Sequence, residues 1–507
     1  MNSTKPGNYL TNRYFFSFLI LVLAISINVL FTFNINDTKI RIGLSDLIIP
    51  IYILFVIIPA YIKIRFPDLI VENFWLWIFL MTIWMLVSLI NGYYDTGKLM
   101  QWAVVNKFFG WILLILYLIV GAYIGAQDNK LKLMFLRWMI IIVWIISLYE
   151  ICIRFFDKFG YHAWFLPLHY RIEGFYDNPN AFGISVAATL ILHVYLQTKY
   201  KIFNRYISTM GAVFCVMAVL YSYSRSAWLG LIIGVIVLLI TFSKSIKNIL
   251  IISILSVLLT YIMFSYINNT QFHAILNTLE KMVKYEKNES KINNAIDFIG
   301  NNYVKVEQYI VNISTIHINL SANTATNGSH KKTSATNKII QPAEAISINK
   351  NKIQIYNPDL MYRLKGNEGS SNVKRIEMLK RSYSYWLDHP LMGIGLGSYR
   401  WKCIKDKVSS DAITIHNSAL WLLVETGLIG LLIFCWIIFK VMKSLIQNNY
   451  SGDSISLAKA MICVIGLFVG ASIGTEVLYQ RYFWLLLGIS LVDLNKLEIK
   501  INNESVN

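Results

Sequence analysis

Apolar blocks of about 15–23 residues recur along the chain, and that length carries a helix across the hydrocarbon core of a bilayer. Lipid offers the backbone no hydrogen-bond partner, so each block must close its own bonds as a helix. The blocks fall at 14–33, 44–62, 73–90, 108–126, 133–153, 180–196, 206–221, 226–242, 249–267, 417–439, 457–473 and 478–492. The last two are short for a full crossing. Of 507 residues, 56% are apolar and 15% charged. Soluble chains carry nearer a quarter of charged residues, which excludes a purely soluble enzyme and a disordered protein. The expected fold is an all-α polytopic membrane protein with about twelve transmembrane helices.

Forty-six basic residues against 28 acidic ones give a net charge of +18. Such an excess can mark nucleic-acid binding. Here it is scattered between apolar blocks, which fits cytoplasmic loops and anionic lipid and no nucleic-acid partner. Lys and Arg are about twice as frequent in one alternate set of short loops as in the other, which puts both termini in the cytoplasm. Five cysteines show no Cys-x-x-Cys spacing, so neither a metal knuckle nor a dithiol is expected. The first block lacks a small-residue cleavage site and reads as an anchor.

This pattern divides the chain into about nine helices over 1–267, one large external loop over 268–415, about three helices over 416–493, and a cytoplasmic tail over 494–507. The loop has two halves. Residues 280–360 are rich in Asn, Lys, Ser, Thr and Ile without periodicity, which reads as a variable, partly flexible insert. Residues 371–387 place Ile376, Leu379, Tyr383, Trp386 and Leu387 at the spacing of one helix face. Ser371 or Asn372 can cap that helix, and Pro390 ends it. It is expected to lie over the membrane mouth.

Three external positions carry chemistry. Arg225 stands in Tyr-Ser-Arg-Ser-Ala-Trp between two blocks, Arg375 on the loop helix, and His416 where the loop enters the tenth block. Two guanidiniums and an imidazole at one interface suit a pyrophosphate-and-proton site. Each also has a plainer reading: a snorkelling anchor for Arg225, a solvated face for Arg375, a cap or structural bond for His416. The Gly393-Ile-Gly395-Leu-Gly397 run resembles a phosphate loop but lacks a strand–turn–helix setting, so a tight turn suits it better. Its amides could still face an anion. Asn178 and Asn180 flank a turn and helix start, an anion-friendly place. Glu425 and Glu476 lie in or beside apolar blocks, where acids are costly. No carboxylate pair or Asp-rich motif marks a Mg²⁺ site; no metal and no cofactor are expected.

The stretches Gly-Phe-Tyr-Asp-Asn-Pro-Asn-Ala (174–181), Ser-Arg-Ser-Ala-Trp-Leu-Gly (224–230), Asp-His-Pro-Leu-Met-Gly-Ile-Gly-Leu-Gly-Ser-Tyr (388–399) and His-Asn-Ser-Ala-Leu-Trp-Leu-Leu-Val-Glu-Thr-Gly-Leu-Ile-Gly (416–430) together resemble the O-antigen ligase and polymerase family. The resemblance covers about residues 170–490, and the insert at 280–360 departs from the compact loop of typical ligases. It implies a glycosyltransferase of the bacterial inner membrane with a GT-C-like architecture. Its donor would be a glycan on undecaprenyl pyrophosphate, and its acceptor a hydroxyl of lipid A–core or of a growing glycan, at the periplasmic face. Carried over, Arg225 and Arg375 match the family's pyrophosphate-binding arginines and His416 its essential histidine. Arg381 and Arg363 lie close to Arg375 in sequence, and Asn417, Glu425, Asn178 and Asn180 are supporting candidates. O-antigen ligation is the leading expectation. A polymerase, a protein O-oligosaccharyltransferase and, from another class, a lipid-linked sugar transporter are the alternatives.

Overall fold

The computed structural model describes residues 20–23, 25, 30–35, 38–59, 67–157, 172–176, 178–241, 369–406, 408, 414–447 and 457–493. Residues 1–260 with 370–507 form one compact unit, and 261–369 form the other. All of the second unit but Gly369 lies outside the described residues. So do the 249–267 block, the 280–360 insert, Arg363 and the 494–507 tail.

The first described elements correct the all-α expectation. Strands β1 (Leu30–Ile35) and β2 (Thr38–Gly43) pair antiparallel, from Leu30 opposite Gly43 to Ile35 opposite Thr38. The 14–33 block therefore does not stay helical to its end. Period-two alternation of Thr38, Ile40 and Ile42 with Lys39 and Arg41, after Asn36-Asp37, is a hairpin signal that overrides the hydropathy of Leu30–Phe33.

Helices follow at most of the expected blocks. They are α1 (Leu44–Tyr52, continued by a π-helical stretch Ile53–Ile57), α2 (Phe74–Thr96), α3 (Gly110–Gly125, preceded by a π-helical stretch Ala103–Phe109), α4 (Asn129–Asp157), α5 (Pro179–Tyr200), α6 (Arg205–Tyr221) and α7 (Arg225–Thr241). After the loop come α8 (Gly369–Asp388), α9 (Ser398–Lys405), α10 (Ser418–Gln447), α11 (Ala458–Ser472) and α12 (Arg481–Leu491). Among the described residues, five helices are long and apolar enough to cross a membrane, and five apolar ones are shorter. The 11 residues of α12 span about 16 Å, roughly half a hydrocarbon core.

Helix α5 is the centre of the bundle: every residue from Phe182 to Leu196 is buried. A helix apolar all round has nowhere else to go. At the rim, α2 exposes Leu76, Phe79, Ile83 and Ile90, and α10 exposes Leu428, Leu432, Trp436 and Phe439. These stripes repeat at helical spacing on the outside, as lipid-facing surfaces do. Close helix crossings are made by small residues: a Cβ on Gly121 of α3 would fall 2.1 Å from the Leu485 carbonyl of α12.

The connections gather into two groups at opposite helix ends. In one, Leu69 bridges Val492, and the Ile70 amide donates to the Leu491 carbonyl. In the other, the α2–α3, α6–α7, α9–α10 and α11–α12 connections meet, and this second group carries the candidate residues.

Candidate functional site

The site is organised by a break in α10. Gly427 has φ 71° and ψ −176°, so the helix is interrupted where the expected 417–439 block reads as continuous. A break inside an apolar span frees backbone groups that lipid cannot satisfy. The 389–397 loop fills it. The amides of Leu428 and Ile429 donate to the carbonyls of Pro390 and Leu391, and the amides of Ile394 and Gly395 donate to those of Val424 and Glu425, at 2.9–3.2 Å. The Trp84 indole donates to the Thr426 carbonyl at 2.8 Å, and the Asn91 amide to the Gly393 carbonyl at 2.8 Å. The amides of Gly393 and Leu396 are also bonded, to His389 and Ser88 carbonyls. The glycine run is thus a structural bracket, and these amides do not face an anion. Gly395 has φ 92°, and a Cβ there would fall 2.1 Å from the Gly92 nitrogen, so only glycine fits.

The bracket fixes α8, which starts at Gly369, so Ser371 and Asn372 lie within it rather than capping it. Its apolar stripe faces outward. Ile376, Leu379, Tyr383 and Leu387 are exposed, while Met378 and Ser382 are buried. The buried side is chosen by specific partners rather than by apolar spacing. The His416 amide donates to the Met378 sulfur at 3.4 Å. Arg375 stands one helical turn before Met378, on the side that meets His416. Arg381 points elsewhere: its guanidinium donates to Cys403 Sγ of α9 at 3.9 Å. Tyr385 donates to Asp406 at 3.2 Å, and burial followed by this carboxylate pushes its hydroxyl up to about 12. Lys402 pairs with Asp95 at 3.1 Å, tying α9 to the end of α2.

Arg225 opens α7 and is half-buried. Ser224 caps this helix, accepting from the Ala227 amide at 3.2 Å. A cation in the first turn works against the helix dipole, and that combination is stabilised by an anion. The next residue, Ser226, lies against Gly474, whose Cβ position is 3.2 Å from the Ser226 Cβ. The same turn holds the start of α10. Asn417 donates to the Ile473 carbonyl at 3.3 Å and caps α10 by accepting from the Leu420 amide at 2.9 Å. Ser418 donates to the Thr475 carbonyl at 3.4 Å and accepts from the Val477 amide at 2.8 Å. The 473–477 turn therefore sits between Arg225 and His416, and Met378 links His416 to the Arg375 helix.

The other expected residues take supporting places. Asn178 caps α5, accepting from the amides of Asn180 and Ala181 at 2.9 and 3.4 Å, so these donors are already used. Glu425 is buried and accepts from the Trp421 indole at 2.9 Å. Spacing arguments miss Lys107. It is buried, pairs with Glu476 and lies 4.3–4.9 Å from the centres of the Trp102, Trp421 and Tyr479 rings. A lysine set directly against the start of an apolar block is the signal that marks it. Arg481 forks onto Asp46, with Nε and one terminal nitrogen each donating to a carboxylate oxygen.

No curated protein and no solved structure matches the chain. Residues 210–435 match the model of the family described as O-Antigen ligase, a stretch that includes Arg225, Arg375, His416 and the break at Gly427. Over those residues the chain is similar to the O-antigen ligase family.

Proposed function

We propose that the protein transfers a glycan from a polyprenyl pyrophosphate, undecaprenyl pyrophosphate in a bacterium, to an acceptor hydroxyl at the external face of the inner membrane. The leading acceptor is lipid A–core. The observation that carries this reading is the gathering of the Arg225, Arg375 and His416 elements around the 473–477 turn, at one end of the bundle.

In this reading the acceptor oxygen attacks the anomeric carbon of the sugar. The carbon–oxygen bond to pyrophosphate breaks, and its electron pair stays on the leaving phosphate oxygen. His416 takes the acceptor proton, a contribution worth about 10²–10⁴ in rate. Arg225 and Arg375 stabilise the charge developing on the phosphates, without a metal. Attack opposite the leaving group inverts the anomeric centre. A polyprenyl tail gains about 0.8 kcal/mol per buried CH₂, which is why the site must open to lipid.

The break in α10 resembles the discontinuous helices of transporters. There, however, the freed backbone groups meet the transported substrate, whereas here the protein's own loop occupies them. This favours transfer chemistry over transport.

The test is transfer by membranes carrying equal amounts of each variant. His416→Ala is expected to lower transfer at least about 100-fold, and Arg225→Ala and Arg375→Ala about 10²–10³-fold each. Arg381→Ala is expected to stay within about fivefold of wild type, since its partner is Cys403. Normal transfer by His416→Ala would sink the mechanism. Electrophoresis of lipopolysaccharide from a deletion strain separates acceptors: loss of the whole ladder with accumulated lipid-linked polymer marks a ligase, a single-repeat band a polymerase. Transfer by purified protein without an energy source excludes a pure transporter.

A further inference from the structure

Beside the 473–477 turn lies a cavity of about 160 Å³ that none of the proposed chemistry uses. Its walls include Tyr176, Asn178, Tyr479, Gln480, Arg481 and Tyr482. It is flanked by both halves of the site. Asn178 begins α5, and Gly183, further along that helix, packs on Ser222 and Ala227, which bracket Arg225. Tyr479 lies two residues beyond Val477, the amide partner of Ser418 at the start of α10. The cavity therefore adjoins the elements that carry Arg225 and His416.

Three properties define what could fill it. The first is charge. Arg481 is matched by Asp46 on both oxygens, so the wall carries a cation already neutralised and offers no net pull on an anion. The second is an unmet hydrogen bond. Tyr482 is 8% exposed, and its hydroxyl has no partner among the described residues. A buried hydroxyl without a partner costs about 1–3 kcal/mol, and Tyr482 is a wall of the cavity, which favours an occupant that bonds it. Gln480 makes no capping bond at the start of α12, which leaves its amide available to the same occupant. The third is size. Space for about five waters is well below the ~300–1,000 Å³ of sites that hold extended ligands.

Neutral, walled by Tyr117, Tyr176, Tyr479 and Tyr482, and large enough for one six-membered ring, the cavity fits an uncharged sugar unit. We infer that it is a subsite for one neutral pyranose of a glycan substrate, with Tyr482 and Gln480 bonding its hydroxyls. This rests on the glycan-transfer reading above. The ring belongs either to the donor, next to the pyrophosphate, or to the acceptor.

Saturation-transfer NMR on the full-length protein in lipid nanodiscs tests it, with free glucose, galactose and N-acetylglucosamine as probes and farnesyl pyrophosphate as a separate probe of the arginines. At least one sugar is expected to receive saturation from the wild type, and Tyr482→Phe and Gln480→Ala each to weaken it about fivefold, one lost hydrogen bond apiece. Tyr482→Phe removes an unpartnered buried hydroxyl, so its thermal unfolding should be no lower than that of the wild type. Farnesyl pyrophosphate binding should not change in either variant. Sugar binding that is absent, or unaltered in both variants, overturns the subsite while the pyrophosphate result stands apart. Loss of farnesyl pyrophosphate binding from the wild type overturns the reading of Arg225 and Arg375 instead. A farnesyl pyrophosphate bearing one N-acetylglucosamine identifies the ring: tighter binding than the bare carrier, lost in Tyr482→Phe, assigns it to the donor, and equal binding assigns it to the acceptor.

Discussion

Two connections reach α10 from the same end of the bundle, and they hold it by different means. The 389–397 loop docks through its backbone, with four amide–carbonyl bonds into the break at Gly427. The turn between α11 and α12 docks through side chains: Ser418 with Thr475 and Val477, and Asn417 with Ile473, while its Glu476 pairs with Lys107, which lies over the Trp421 ring of α10. The loop looks more like a ligand-binding motif, yet its amides are taken up by the protein itself. The plainer turn carries the polar chemistry. Backbone docking should fail when a Cβ is added, and side-chain docking when a charge is removed, and this contrast can be tested from both sides.

The largest effect is expected from Lys107→Met. It leaves Glu476 without its partner among apolar and aromatic neighbours, and breaking a buried pair costs about 3–5 kcal/mol. Thermal unfolding in detergent should show the loss. The double variant Lys107→Met with Glu476→Met should recover much of it, because neither buried charge then remains unmatched. If the double variant is no more stable than the single one, the turn is not held by charge.

On the loop side, Gly395→Ala combines a left-handed φ of 92° with a Cβ 2.1 Å from the Gly92 nitrogen. The backbone strain costs about 1–2 kcal/mol, and the forced separation of α2 from the loop adds about 1–3 kcal/mol. Gly97→Ala is the control. Gly97 has φ 71°, but nothing lies within 4 Å of its Cβ position, so only the strain of about 1–2 kcal/mol should appear. Equal unfolding temperatures for the two variants would mean that close backbone contact is not what the loop contributes.

The same contrast explains what was legible in the sequence. Hydropathy located most of the helices, because a continuous apolar run of bilayer length has few alternatives. It could not see the hairpin at 30–43, where Leu30–Phe33 are apolar but paired as a strand. Nor could it see the break at Gly427. A glycine in an apolar run is ordinary, and the freed carbonyls find their partners in the loop more than thirty residues earlier and in Trp84 of α2. Apolar spacing marks one face of α8 but does not say which face packs on the protein: Met378 and Ser382 are buried, while Ile376, Leu379, Tyr383 and Leu387 lie outside. Motif order named His416, Arg225 and Arg375 as candidates. Lys107 lies more than three hundred residues before Glu476, so no local pattern joins them.

The smallest effect should come from Trp84→Phe. In an unbroken helix the Thr426 carbonyl would accept from the amide of residue 430; beside the break it accepts from the Trp84 indole at 2.8 Å. Phenylalanine keeps most of the ring's packing but removes the donor, leaving one carbonyl without its bond at a cost of about 1–2 kcal/mol. That is less than expected for Gly395→Ala, since the four backbone bonds of the loop remain. A Trp84→Phe variant that unfolds as early as Gly395→Ala would reverse the order, and the break would then be held by side chains on both of its faces. A change within about 0.5 kcal/mol would mean that the backbone bracket alone suffices, which is the stronger form of the comparison.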